Sequence, residues 1–206
     1  AELKKCIILA SGSVGTDMID VEAATAAGIV VTNTPDIFIE ETADHTLMLL
    51  LSAGRRLRQI DELVRQGDWR QGRPILSALP RIWGQTLGII GFGNIATAVA
   101  RRAKAFGLNI IAYDPYADAD VALKHEIELV GSLGELLEQS DIVSLHTPKT
   151  PETVHLMNNE AFEKMKPTAF LVNTARGPIV EEEALINALN NDLIAGAALD
   201  VFEEEP

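Results

Sequence analysis

Short apolar runs alternate with helical patterns along nearly the whole chain. Residues 5–10 read as a strand, 21–27 as a helix ended by Gly28, and 29–31 as the next strand. Asn33-Thr34-Pro35-Asp36 reads as a turn. Leu47, Leu50, Leu51, Leu57, Ile60 and Val64 then recur at three- and four-residue steps. Arg55, Arg56, Arg58, Gln59, Glu62 and Arg65 fill the other side. The pattern predicts one helix over residues 40–66. At 1.5 Å per residue it would be roughly 40 Å long, enough to join two lobes. Residues 67–80, with Trp69, Gly72 and Pro74, read as irregular.

From Thr86 the alternation is regular. Strands are expected over 87–90, 109–113, 128–130, 142–145, 169–173 and 195–199. Helices are expected between them, over 95–106, 133–139, 159–165 and 181–190, with a weaker one over 118–125. Ser132 with Glu135 forms a capping box ahead of the helix at 133. Such alternation predicts an α/β fold, a doubly wound parallel sheet with helices on both faces. No repeat, low-complexity tract or flexible linker interrupts it.

Composition narrows the function classes. Aromatics make up 5% of the 206 residues, and Ala, Val, Ile and Leu dominate, which suits a sheet buried on both sides. Thirty acidic against 17 basic residues give a net charge of −13. A surface this acidic repels phosphate backbones and anionic lipid, which argues against nucleic-acid and membrane partners. Cys6, the single cysteine, cannot form an internal disulfide; within its apolar run it reads as a buried small hydrophobe in a reducing compartment. No apolar stretch is long enough to span a bilayer, and the expected location is the cytoplasm. No spacing of His, Cys, Asp or Glu suggests a metal site.

The chemistry starts at Gly91-Phe92-Gly93-Asn94-Ile95-Ala96, which joins a strand to a helix with the pattern G-x-G-x-x-A. Gly91 permits the tight turn, Gly93 lets a pyrophosphate approach the backbone, and Ala96 is small enough for close helix–strand packing. The helix start at Asn94 and Ile95 offers free N–H groups and a positive dipole end. A ligand-free strand–helix turn can carry the same glycines, but Asp114 closes the following strand, roughly 20 residues on, where a carboxylate accepts bonds from the adenine ribose and repels a 2′-phosphate. The cofactor expected is NAD, not NADP. Open α/β sheets bind ligands beyond the carboxyl ends of their strands, and Gly91, Asp114, His146, Arg176 and Asp200 all fall at such ends.

The glycine turn, Asn173-Thr174-Ala175-Arg176-Gly177 and Ala198-Leu199-Asp200-Val201-Phe202-Glu203-Glu204-Glu205-Pro206, in this order, resemble the D-2-hydroxyacid dehydrogenases. The resemblance runs over essentially the whole chain, including Val14-Gly15-Thr16-Asp17 and Glu40-Glu41-Thr42-Ala43-Asp44, and leans towards the corepressor-like branch, the C-terminal-binding proteins. It implies a Rossmann-type NAD domain over 41–206, incomplete at its C-terminus and including a connecting helix, and a remnant of a flavodoxin-like substrate domain over 1–40. Further segments would precede Lys5 and follow Pro206.

The resemblance also implies roles. Arg176 would hold the substrate, as a guanidinium fork suits a carboxylate. Glu205 would hydrogen-bond a catalytic histidine in a loop beyond the Glu-Pro motif and favour its protonated form. Asp200 would orient the nicotinamide, with Thr174 and Ala175 lining its site. Residues 147–153, Thr147, Pro148 and Thr153 among them, would line the adenosine side, flanked by His146 and His155, and Val14 and Gly15 would offer amides to the substrate carboxylate. His45 reads as a helix-face residue. The function implied is NAD-dependent hydride transfer to or from a small 2-hydroxy or 2-keto acid, in a homodimer with Trp69 as a candidate anchor. The alternative is a non-catalytic NAD(H)-sensing protein resembling the corepressors.

Overall fold

A computed structural model describes residues 5–205. A small two-stranded parallel sheet comes first: β1 (Ile8–Ala10), helix α1 (Val21–Ala26) and β2 (Val30–Thr32). Asp20 caps α1 by accepting from the Ala23 amide at 2.8 Å. β1 is shorter than the run over 5–10 that suggested it and β2 is shifted by one residue from 29–31, and the small sheet lies open, with Ile7 78% and Ile8 51% exposed. Cys6 is therefore half-buried instead of a core residue, because nothing among the described residues covers that side of the small sheet.

The single long helix expected over 40–66 is two helices, α2 (Ile39–Gly54) and α3 (Leu57–Arg65). Gly54 ends the first, and Arg56 takes a left-handed backbone, φ 51°. Its guanidinium donates to the Ala195 carbonyl at 3.3 Å and lies 5.6 Å from the Phe170 ring centroid. Arg56, read as a polar-face residue, thus docks the break onto the main sheet. The stretch over 67–80 is also corrected: it holds helix α4 (Trp69–Ala78), with Pro74 inside it. Gly72, read as a breaker, is buried where α4 meets α3, and a Cβ there would come within 3.2 Å of Ile60. Its missing side chain lets the two helices pack.

The rest follows the expected alternation: β3 (Thr86–Ile90), α5 (Asn94–Ala105), β4 (Asn109–Tyr113), α6 (Ala119–Lys124), β5 (Glu128–Leu129), α7 (Leu133–Gln139), β6 (Ile142–Leu145), α8 (Asn159–Lys164), β7 (Phe170–Asn173), α9 (Glu182–Asn190) and β8 (Gly196–Leu199). A short 3-10 turn, Gly177–Ile179, had no counterpart in the sequence pattern. The strands form one six-stranded parallel sheet in the order β5-β4-β3-β6-β7-β8. Strand residues alternate between two cores. Ile90, Ile111, Val143, Leu145 and Leu171 pack with Leu136, Leu137, Phe162 and Leu185 of the helices on one side. Leu87, Ile89, Ile110, Ala112 and Val172 pack with Leu47, Leu50, Ala96, Val99 and Ala103 on the other. Each fully buried large side chain contributes about 1.5–3 kcal/mol. The capping box at α7 forms with one change: Ser132 accepts from the Glu135 amide at 3.2 Å, while Glu135 reaches the Gly131 amide at 2.9 Å.

The chain order reverses direction at β3, which has β4 on one side and β6 on the other. The crevice beyond the carboxyl ends of β3 and β6 is where such sheets take ligands. Helix α2 packs along α5 and reaches β7 and β8. Arg102 of α5 pairs with Glu40 and Asp44 of α2 at 2.6 Å each, and Arg101 pairs with Glu40 at 2.7 Å. This cluster holds α2 beside α5, which starts at the glycine turn.

Candidate functional site

The turn after β3 is tied to both neighbouring strands. The Gly91 amide donates to the Tyr113 carbonyl at 2.9 Å, and the His146 amide donates to the Ile90 carbonyl at 2.8 Å. Gly91 has φ +86°, and a Cβ would lie within 2.9 Å of Thr147 and the His146 carbonyl. Conformation and space both require glycine there. Gly93 faces open space, with nothing within 4 Å of where a Cβ would be. No side chain caps α5, so its first amides keep their donor capacity towards the crevice. Asn94 sits on the surface, its amide 3.4 Å from Asp36, and Ile95 turns into the cleft.

Asp114 plays a structural part that the sequence did not suggest. One carboxylate oxygen accepts from the Phe92 amide and the other from the Tyr116 amide, each at 2.8 Å. It splints the glycine turn to the end of β4 and still has lone pairs for a ribose hydroxyl.

Two cavities meet at residues 146–148. The first, about 480 Å³, is lined by Gly91, Gly93, Asp114, His146, Thr147, Pro148 and Thr153 among others. The second, about 630 Å³, is lined by Val14, Gly15, Asp17, Ile95, Thr174, Ala175 and Arg176 together with His146, Thr147 and Pro148. Thr147 borders both, and its hydroxyl is buried without a hydrogen-bond partner. Orphaned buried hydroxyls are rare and costly, and one on a residue that lines two joined cavities is a candidate to bond a polar ligand. With the open Gly93 face and the uncapped helix start, the residues present fit a dinucleotide.

The turn that presents Arg176 is built by Asn173. This buried side chain accepts from the Ala175 amide at 3.0 Å and donates to the Arg176 carbonyl at 2.9 Å. Gly177 follows because a Cβ there would overlap the Phe202 carbonyl. Arg176 Nε donates to Asp17 at 2.7 Å and Nη1 to the Ala175 carbonyl at 2.6 Å. Nη2 is packed under Gly15, whose missing side chain makes room for it. Arg176 holds the Asp17 carboxyl below its ordinary range, so this pair spans the two sheets as ions. Thr174 bonds Thr46 of α2 through their hydroxyls at 2.8 Å.

Two expected residues sit differently. Asp200 follows β8 and bonds His45 Nε2 at 3.0 Å, without lining either cavity. His45 is thus the hydrogen-bond partner of Asp200, not a bare helix-face side chain. Glu205 accepts from the Phe202 amide at 2.8 Å, and no histidine contacts it among the described residues; Pro206 of the same motif lies outside those residues. His155 lines neither of these cavities and bonds Glu203 at 2.8 Å, a hydrogen bond that lowers the glutamate's pKa. Lys149 and Glu152, within the 147–153 segment, line the cavities as well; Asp17, Thr42 and Tyr116 also do so and had not been singled out as site residues. Among the described residues no group of three or more His, Cys, Asp or Glu could hold a metal, and no helix is long and apolar enough to cross a membrane.

The profile of the family described as "D-isomer specific 2-hydroxyacid dehydrogenase, NAD binding domain" matches residues 47–206. A glyoxylate reductase of Korarchaeum cryptofilum is 48% identical over 203 residues, covering 98% of this chain and 61% of that protein. The holo D-mandelate dehydrogenase of Rhodotorula graminis superposes with a TM-score of 0.93 at 32% identity, over 98% of this chain and 61% of its own. A D-lactate dehydrogenase from Aquifex aeolicus, solved with NAD and lactic acid, gives 0.87 at 38% identity, over 96% and 58%. The chain thus spans about 60% of the length of these relatives. Their names are those of reductases and dehydrogenases, and they lend no support to the corepressor-like alternative.

Burial pushes the His146 imidazole down to about 4, from an ordinary 6.5, beside a 2.9 Å bond to Ser144. It is neutral at pH 7 in the fold but takes a proton near 6.5 when unfolded. Its contribution to stability is therefore complete above pH 6.5 and lost as pH falls towards 4, by at most about 3 kcal/mol. This is an upper bound, because the residue stays partly open to the cleft. Urea unfolding at pH 7, 6, 5 and 4 should show His146→Asn losing less stability than the parent across that window; parallel curves would contradict the burial of this ring.

Proposed function

Since this chain belongs to the D-isomer specific 2-hydroxyacid dehydrogenase family, we propose that it serves hydride transfer between NAD and C2 of a small 2-hydroxy or 2-keto acid. The observation that carries this reading is Arg176 on the wall of a cavity that continues, past His146, Thr147 and Pro148, into the one beneath Gly91. When bound, the nicotinamide supplies or accepts the hydride; the chain's own residues supply position and field.

In this reading the uncapped start of α5 and the open face of Gly93 seat the diphosphate. The Asp114 carboxylate accepts from the ribose, and Thr147 satisfies its hydroxyl on the ligand. Thr174 and Ala175 border the nicotinamide, and Asp200, steadied by His45, accepts from its carboxamide. Arg176 keeps its Nε edge on Asp17 and offers its remaining N–H groups to the substrate's carboxylate or carbonyl. Val14 and Gly15 close the opposite wall with their amides. Glu205 favours the protonated form of an acid/base histidine. None of the described histidines occupies that place, since His45, His146 and His155 are bonded to Asp200, Ser144 and Glu203 and His125 ends α6. The 206 residues by themselves are accordingly proposed to bind NADH and to reduce 2-keto acids weakly or not at all. Residues 1–40 belong to the substrate lobe in this reading and 41–206 to the connecting helix and cofactor lobe.

Oxalate, an unreactive dianion, tests the anchor. With NADH present, calorimetry should show Arg176→Gln weakening oxalate at least about tenfold, the size of a lost charge-assisted bond. Equal affinity for oxalate would remove Arg176 from the substrate site.

The partner proposed is a second copy of the chain. Leu57, Val64, Trp69 and Leu76 are exposed apolar residues of α3 and α4, with Arg73 stacked 5.3 Å from the Trp69 ring centroid. Light scattering is expected to give a dimer that Trp69→Ala weakens about tenfold or more, as for a buried aromatic anchor. A monomer at every concentration would contradict it.

A further inference from the structure

Nothing at the diphosphate end of the cleft separates NAD from its 2′-phosphorylated form, because both carry the same diphosphate. Discrimination must come from the ribose end. The adenosine-side cavity contains two carboxylates, Asp114 and Glu152, and no lysine or arginine in its lining. They arrive from different segments, Asp114 from the end of β4 and Glu152 from the turn over 150–153. That turn is stapled internally. The Thr153 hydroxyl donates to the Pro148 carbonyl at 2.7 Å and accepts from the Thr150 amide at 2.8 Å, and the Thr153 amide donates to the Thr150 carbonyl at 3.0 Å.

Tyr116 links the two acids. Its amide donates to Asp114 Oδ1 at 2.8 Å, and its phenol donates to Glu152 Oε2 at 2.9 Å. The result is a chain, Asp114–Tyr116–Glu152, across the mouth of the cavity. Asp114 spends part of its charge on two backbone amides. Glu152 has only the phenol as a bonded partner among the described residues, and that hydrogen bond, with the carboxylate's charge behind it, raises the phenol's pKa and keeps the donor protonated. We propose that Glu152, aimed by Tyr116, is a second determinant, beside Asp114, that excludes a 2′-phosphorylated dinucleotide from this site. The proposal rests on the reading of this cavity as the adenosine side of an NAD site. Both side chains are exposed at the rim, so replacing them leaves the core intact.

The test is the ratio of Kd for NADPH to Kd for NADH, from fluorescence titrations at low salt. Glu152→Gln should lower that ratio about fivefold, the size of one partly screened charge facing a phosphate. Glu152→Lys should lower it further, and raised salt should shrink both effects. Tyr116→Phe should move it the same way by less, since the acid is kept but no longer held. A merely structural role for Glu152 would weaken both nucleotides alike and leave the ratio where it was. An unmoved ratio in Glu152→Gln and Glu152→Lys overturns the proposal, and an unmoved ratio in Tyr116→Phe removes the tyrosine from it. If the parent chain binds NADH and only the ratio fails to respond, the cofactor assignment stands; if it binds no NADH, both fall.

Discussion

The left-handed backbone at Gly91 is the constraint on which the site depends. It turns the chain off β3 at the one place where β4 and β6 flank the same strand. Its amide is bonded to the end of β4, the residue before it accepts from the end of β6, and the residue after it is bonded to the Asp114 carboxylate. Three strand ends are thereby drawn together, and α5 starts with its free amides facing the gap between them. A side chain at this position would collide with Thr147 and the His146 backbone, the segment shared by both cavities.

The rest of the cleft is arranged around that node by a few long-range polar contacts. Glu40 and Asp44 hold α2 against α5, which places Thr46 against Thr174 and His45 against Asp200. Asp17 reaches from the small sheet to Arg176 and makes the sole ion pair, among the described residues, between residues 5–36 and the six-stranded sheet's domain. The chain carries a net charge of −13, so an anionic ligand depends on local sources of positive potential. The helix start at Asn94 and the guanidinium of Arg176 are two such sources, one at each side of the shared wall. The carboxylates of Asp114 and Glu152, in the cavity beneath Gly91, act in the opposite sense, and no lysine or arginine lines that cavity.

Much of this was legible in the sequence because it is local or periodic. Alternation of buried apolar runs with amphipathic stretches located the strands of the main sheet to within one residue at either end. The rule that ligands sit beyond strand carboxyl ends picked out Gly91, Asp114, His146, Arg176 and Asp200; the first four line the cleft and Asp200 lines neither cavity. What escaped depends on contacts between residues far apart in the chain. The helix over 40–66 was drawn unbroken because its apolar period carries through Gly54, whereas the break is made by Arg56 docking on Phe170 and Ala195. Residues 67–80 looked irregular because Gly72 and Pro74 are breakers by composition; only the packing of α4 on α3 gives Gly72 a reason to be helical. Asp17 and Arg176 stand 159 positions apart and His45 and Asp200 155, separations that no local pattern encodes. The roles of Asp200 and Glu205 came from resemblance alone, and their present partners are His45 and the Phe202 amide.

The central claim is that a dinucleotide seats its diphosphate on the amides that follow Gly91. Solution NMR of the nitrogen-15-labelled chain, titrated with NADH, addresses those amides one by one. The account predicts saturable shifts that are largest at Phe92, Gly93, Asn94 and Ile95, with Thr147 responding alongside them. Saturable binding whose largest shifts fall on α3 and α4, or no saturation at millimolar NADH in a folded sample, would contradict it.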